Sequence, residues 1–315
     1  MSRDAHDEPR RSIDLPRVPN EPWYGTAYLL SRGVEAVTAS SADWIESHYA
    51  GKDMLRRSLE FASWHLADGA RGDLESLDRV WFFPWTESAF ELQLSFGCAL
   101  AGLHRAAVDH HRRALELVVV GAYFVAEHID AKEGARWYAS DLHTPHFTRA
   151  LDKLARTGFC EVVDDATHWL TLVKNHYWRL SDISHVRGEA HSLAQLSGSI
   201  FSFSGFPVPT FGSEALERSL GLFVETCSHV AAALAVANPV LLVGLPLSEK
   251  YGENPPIGFF ADYQASALRD MLPDAVRDGF IRAAAEDPQI QSIREHMERL
   301  PDISEEELRR QIDEY

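Results

Sequence analysis

Fifteen residues from Tyr177 to His191 hold Tyr177, Arg179, Ser181, Asp182, His185, Arg187, Glu189 and His191. The spacing predicts one helix over about 166–192, with Tyr177, Ser181 and Ser184 on the face that carries His185. An imidazole exchanges protons near neutral pH, and arginines beside it can offset charge on a phosphate as it reacts. His185 is the candidate acid/base, with Arg179 or Arg187 as the cation and Tyr177 and Ser181 as polar partners on the same helix. The same stretch also offers Asp182, His185 and Glu189 at i, i+3 and i+7. One imidazole and two carboxylates in that order form a second, weaker arrangement that would hold a metal. The bland alternative is a polar network that fixes how helices pack.

Glu116 is the other candidate. It precedes Leu117 to Phe124, a run apolar nearly all round and therefore suited to burial. A carboxylate at the edge of a core needs a partner, and Arg112 lies one turn back on the same face. Glu116 either forms a structural pair with Arg112 or faces the polar helix, where it would orient His185 or take its proton. His110-His111 and His143-Thr-Pro-His146 sit in polar stretches near helix ends, so solvated or capping roles are expected for them.

Several chemistries have no support. No G-x-S-x-G, G-x-x-x-x-G-K-[ST] or G-x-G-x-x-G occurs, so neither a hydrolase elbow nor a phosphate loop is expected. The Glu-x-x-His unit of di-iron carboxylate bundles is also missing. Cys98, Cys160 and Cys227 are odd in number and far apart, which argues against a disulfide framework and fits a reducing cytoplasm. No cofactor is expected.

The formal charge is −17, which opposes sequence-independent binding to duplex DNA. Residues 1–22 are charged and proline-bearing, with no apolar run resembling a signal peptide. Val230 to Leu247 is the one stretch that hints at a membrane segment. Asn238-Pro239 interrupts it, so a buried helix followed by an apolar loop is the expectation.

The elements that must position these groups all read as helices, with no alternating strands and no internal repeat. The expectation is all-α: a disordered arm over 1–22, a helical bundle over 23–247 and a C-terminal helical extension over 248–315. Within the bundle, helices are expected near 24–38, 42–66 and 73–82. Ser88-Ala-Phe-Glu91 has the form of a capping box opening an apolar helix, or two nearly continuous ones, that reaches about His128. Gly97 and Gly102 there would allow a kink or a close contact. Thr144-Pro145 starts a short helix over 147–156. A long Gly/Ser/Phe/Pro segment, 197–212, precedes a helix over 213–237, and shorter helices fill 261–299. Ser304-Glu-Glu-Glu307 would cap a last one.

Three fragments taken together, Arg113-Ala-Leu-Glu116, His143-Thr-Pro-His-Phe147 and Tyr177-x-x-Leu-Ser-x-x-x-His185 with Arg187-Gly188, resemble a widespread family of uncharacterised helical bacterial proteins, itself similar to the HEPN superfamily. The resemblance covers about residues 85–195. It implies an up-and-down helical core and homodimerisation. HEPN nucleases cut RNA without metal through an Arg, four to six residues and a His. Arg179…His185 meets that spacing inside the resembling segment, and Arg105…His110 and Arg136…His143 meet it elsewhere. Leu180 stands where the nuclease pattern usually has a polar residue.

Two readings stay open. One is a HEPN-like protein of the bacterial cytoplasm, in a defence or toxin setting, acting on RNA or a nucleotide through His185. The other is a non-catalytic interaction or regulatory subunit.

Overall fold

The computed structural model describes residues 22–66, 79–125, 131–185, 211–244 and 262–299, with Ser304, Glu306 and Arg310. Among them the chain is all α-helical and contains no strand. Arg187, Glu189, His191, most of the 197–212 segment and most of the helix expected at 73–82 lie outside the described residues, as do Glu305 and Glu307 of the Ser304 capping box.

The helices in chain order are α1 (Pro22–His48), α2 (Lys52–Glu60), α3 (Arg79–Leu100), α4 (His104–Val125), α5 (Ala131–Tyr138), α6 (Phe147–Leu154), α7 (Gly158–Thr167), α8 (Trp169–Ser184), α9 (Ser213–Ala237), α10 (Asp262–Met271), α11 (Arg277–Glu286) and α12 (Pro288–Arg299). A π-helical stretch, Phe61–His65, continues α2, and a 3-10 turn, Pro239–Leu242, follows α9.

α4 is the axis of the bundle. α3, α6, α8 and α9 all pack on it, and Ala114, Leu115, Val118 and Val119 are wholly buried, as the all-round apolar pattern requires. α9 is the second buried helix, with Ala231 to Ala235 without exposure. It is long and apolar enough to cross a membrane, yet it lies largely inside the protein core. The helices after residue 262 share that core: Ala265, Leu268, Met271 and Phe280 join one apolar cluster with Leu220 and Val230.

Three helix boundaries differ from expectation, each for a local reason. α3 starts well before Ser88 and carries Pro84 inside it. Ser88 is therefore no N-cap; it is buried and its hydroxyl donates to the Ala114 carbonyl across the α3–α4 contact. The helix ends at Gly102, whose φ of 73° is the left-handed conformation glycine adopts without strain. Leu103 N–H reaches the Cys98 carbonyl and Gly102 N–H the Ala99 carbonyl, the paired bonds of a Schellman stop.

The helix expected over 166–192 is two helices. His168 takes a left-handed φ of 57°, a conformation histidine tolerates better than most residues. Its N–H bonds the Asp164 carbonyl, while the Asp164 carboxylate accepts from Leu170 N–H and so caps the start of α8. The second helix ends at Ser184, which leaves His185 as its C-cap residue.

Candidate functional site

Two polar clusters lie on opposite sides of α8. On one side Tyr177 faces α4. Its hydroxyl donates to Glu116 Oε1 at 2.9 Å, and Arg112 Nε donates to the same oxygen at 3.1 Å. Arg112 Nη1 also donates to His185 Nε2 at 2.8 Å. The guanidinium carbon lies 5.8 Å from the Tyr177 ring centre, within cation–π range. Phe147 from α6 stacks on that ring, with centroids 3.9 Å apart. Burial first, and the Glu116 carboxylate second, push the Tyr177 phenol up to about 12. It is therefore a proton donor in a hydrogen bond at neutral pH, not a base.

Of the two arrangements expected for Glu116, the pair with Arg112 forms, and the direct contact with His185 does not. Glu116 still faces the polar helix, but through Tyr177. His185 is held by Arg112 rather than by Glu116. A guanidinium has only donors, so Nε2 of His185 accepts the bond from Arg112.

Arg112, Glu116 and Tyr177 form part of the wall of an open cleft of about 1300 Å³. Phe83, Trp137, Tyr138 and Trp178 supply aromatic surface there, and Arg113, Arg149, His143 and His146 supply cationic or titratable groups. Trp178 and Tyr138 are each 41% exposed. Arg113 is engaged, because Glu91 Oε2 lies 3.3 Å from its Nε and 2.5 Å from His110 Nδ1. Arg149 has no carboxylate partner among the described residues. His143 is exposed, and His146 occupies the N-cap position of α6, exposed and without a side-chain cap bond. His185 stands beside the cleft, joined to it through Arg112.

The remaining expected groups separate. Ser181 and Ser184 are buried, and the Ser184 carbonyl accepts from Arg105 Nη2 at 2.9 Å. Asp182 is half-buried on the same helix. Glu189, its expected partner in metal binding, lies outside the described residues, as does Arg187.

Arg179 points to the opposite side of α8, away from His185. Its guanidinium pairs with Glu225 of α9, and Nη2 lies 2.8 Å from His176 Nδ1. Around that pair sits a second cluster that sequence reasoning did not find. His176 Nε2 lies 2.8 Å from Thr226 Oγ1, and its ring centre lies 5.1 Å from that of His229. His176, Glu225 and His229 each offer a ligand atom, all within 4.8 Å of one another.

His111, expected to be solvated or capping, is wholly buried on α4 against Phe223, with neither ring nitrogen hydrogen-bonded among the described residues. Burial pushes His111 and His229 each down to about 3, so both imidazoles are neutral. The sequence signal for this cluster was Glu225-x-x-x-His229, one helical turn apart on an apolar helix.

All three cysteines are free thiols. Burial pushes Cys160 up to about 12 and Cys227 higher, which leaves neither nucleophilic.

No protein-family model matches the chain, and no curated protein or solved structure matches it either.

Proposed function

We propose that the cleft binds a nucleotide or a single-stranded RNA segment, and that His185 acts there as a HEPN-like, metal-independent acid/base. The observation that carries this reading is the hydrogen bond from Arg112 Nη1 to His185 Nε2 at 2.8 Å, made by an arginine that also lines the cleft. It sets a basic nitrogen beside a cation, the pairing that phosphate chemistry uses.

The cleft wall fits such a ligand. Exposed Trp178 and Tyr138 offer ring faces to a base, and base–aromatic stacking tolerates any sequence. Arg149, with no carboxylate partner among the described residues, supplies charge for a phosphate. In the proposed reaction the 2′-oxygen of RNA attacks phosphorus and displaces the 5′-oxygen. As the ligand enters, the Arg112 guanidinium turns from His185 Nε2 to the phosphate; the freed Nε2 lone pair takes the 2′-hydroxyl proton, and solvent returns one to the leaving oxygen. Arg112 is the phosphate cation in this scheme, because Arg179 is turned toward Glu225.

The second reading is a non-catalytic interaction or regulatory subunit. What favours it is that Arg112, Glu116, Tyr177 and His185 already satisfy one another, as a purely structural network would.

The test is incubation of wild type and His185→Ala with a mixed RNA pool in chelator, alongside their melting temperatures. The nuclease reading expects cleavage by wild type alone and nearly equal melting temperatures. Intact RNA in both reactions, with a lower melting temperature for the variant, would move the assignment to the structural network. Intrinsic tryptophan fluorescence, titrated with a nucleoside monophosphate in wild type, Arg149→Ala and Trp178→Phe, reads binding separately from cleavage.

A further inference from the structure

We propose that His176, Glu225 and His229 form a site for a first-row divalent cation, zinc by its donor set. Two imidazoles and one carboxylate are a recurrent ligand combination for zinc and for non-haem iron. Their placement follows from the fold. Glu225 and His229 are one turn apart on α9, so both project from one face toward α8, which brings His176 from the other side.

The hydrogen bond between His176 Nε2 and Thr226 leaves Nδ1 free to serve as a ligand atom. The Thr226 hydroxyl donates its proton to the Leu222 carbonyl at 2.7 Å, so toward His176 Nε2 it can only accept. Nε2 therefore carries the ring proton and Nδ1 presents a lone pair. A ligating histidine ordinarily donates its other ring N–H in just this way. That lone pair lies 3.2 Å from Glu225 Oε1. Two acceptors on a tetrahedral zinc, each about 2 Å from the ion, stand roughly 3.3 Å apart.

Between these acceptors the chain places a positive group of its own. Arg179 Nη2 bonds both His176 Nδ1 and Glu225. Arg179 and Glu225 are 49% and 42% exposed, so the guanidinium can swing into solvent and leave a path to the site. Its pairing with Glu225 is the partly exposed kind that contributes little.

A second observation points the same way. His229 is 4% exposed, and its Nδ1 has no hydrogen-bond partner among the described residues. An unpartnered buried nitrogen is costly, and a cation would satisfy it. His111 adds a neighbour in the same condition: fully buried, both ring nitrogens unpartnered among the described residues, and close enough for positive charge on His176 to disfavour its own protonation.

The test uses the full chain, stripped with chelator, and reads Co²⁺ absorption and Zn²⁺ calorimetry with circular dichroism as the folding control. One tightly bound equivalent is expected, with the intense visible bands of tetrahedral Co²⁺. Glu225→Gln and His229→Ala should lose that equivalent. Thr226→Val, which removes only the outer hydrogen bond, should weaken it about tenfold or more. Arg179→Ala removes the competing cation and should bind at least as tightly as wild type. His48→Ala, an exposed histidine at the end of α1, should change nothing. If His229→Ala fails to fold, Thr226→Val and Arg179→Ala decide. The proposal is overturned if folded wild type and Arg179→Ala bind neither ion, or if binding survives Glu225→Gln and Thr226→Val unchanged.

Discussion

Tyr177 and Glu116 join α8 to α4, the phenol of α8 donating to the carboxylate of α4 over 2.9 Å. Because Arg112 donates to the same oxygen, Glu116 keeps a partner when the phenol is removed. Tyr177→Phe should therefore cost only about 1 kcal/mol and lower the melting temperature by about 2 °C. Tyr177→Ala, which also removes the ring stacked on Phe147, should cost about 3–5 kcal/mol. Urea denaturation of the two variants checks both; equal losses would mean the ring adds nothing beyond its hydroxyl.

Arg112 makes two directional bonds with one guanidinium, Nε to Glu116 and Nη1 to His185. A lysine keeps the charge but has no planar fork to span both partners. Arg112→Lys should bind a nucleoside monophosphate about tenfold more weakly than wild type, the effect of losing one charge-assisted bond. Calorimetric titration reads this directly. Equal affinity in Arg112→Lys would leave Arg149 as the phosphate cation.

The all-helical class and the 213–237 helix were legible because continuous apolar periodicity has one physical solution. The break at His168 was not, because a left-handed histidine carries no pattern and is held by a tertiary choice of the Asp164 side chain. That Glu116 has a partner was legible, because a carboxylate at the edge of an apolar helix needs one. Arg179 lies on the same helix as His185, but six residues at about 100° each set the two side chains about 120° apart around the axis, and Glu225 of α9 pairs with it there. His176 and His229 were passed over and His111 was read as solvated or capping, since only folding reveals that three helices bring them close together.

Gly121 of α4 packs against Pro84 of α3. A Cβ at this position would lie 2.7 Å from Pro84 Cβ, and a proline ring within a helix cannot swing aside. Alanine gains up to about 1 kcal/mol of helix propensity over glycine, while overpacking a buried contact costs about 1–3 kcal/mol. The clash should win, and Gly121→Ala should be destabilised by about 1 kcal/mol. Gly97→Ala, where a Cβ meets nothing, should be neutral or stabilising. A stabilised Gly121→Ala would mean that α3 shifts freely around Pro84.

His104, the first residue of α4, gives a pH dependence with a defined sign. It is 4% exposed, and burial pushes its imidazole down from 6.5 to about 4. Between those values the unfolded chain binds a proton that the folded chain refuses. Stability is then fully present above about 6.5 and falls as pH drops toward 4. A shift of this size should remove about 2 kcal/mol between pH 7 and pH 5. His104→Leu has no proton to bind in either state, so its stability should decline less over the same interval by about that amount. Denaturant midpoints of both proteins at the two pH values isolate the difference, since every other titrating group is common to them. Parallel pH profiles would mean that His104 is protonated in the folded protein, with a partner that stabilises its charge.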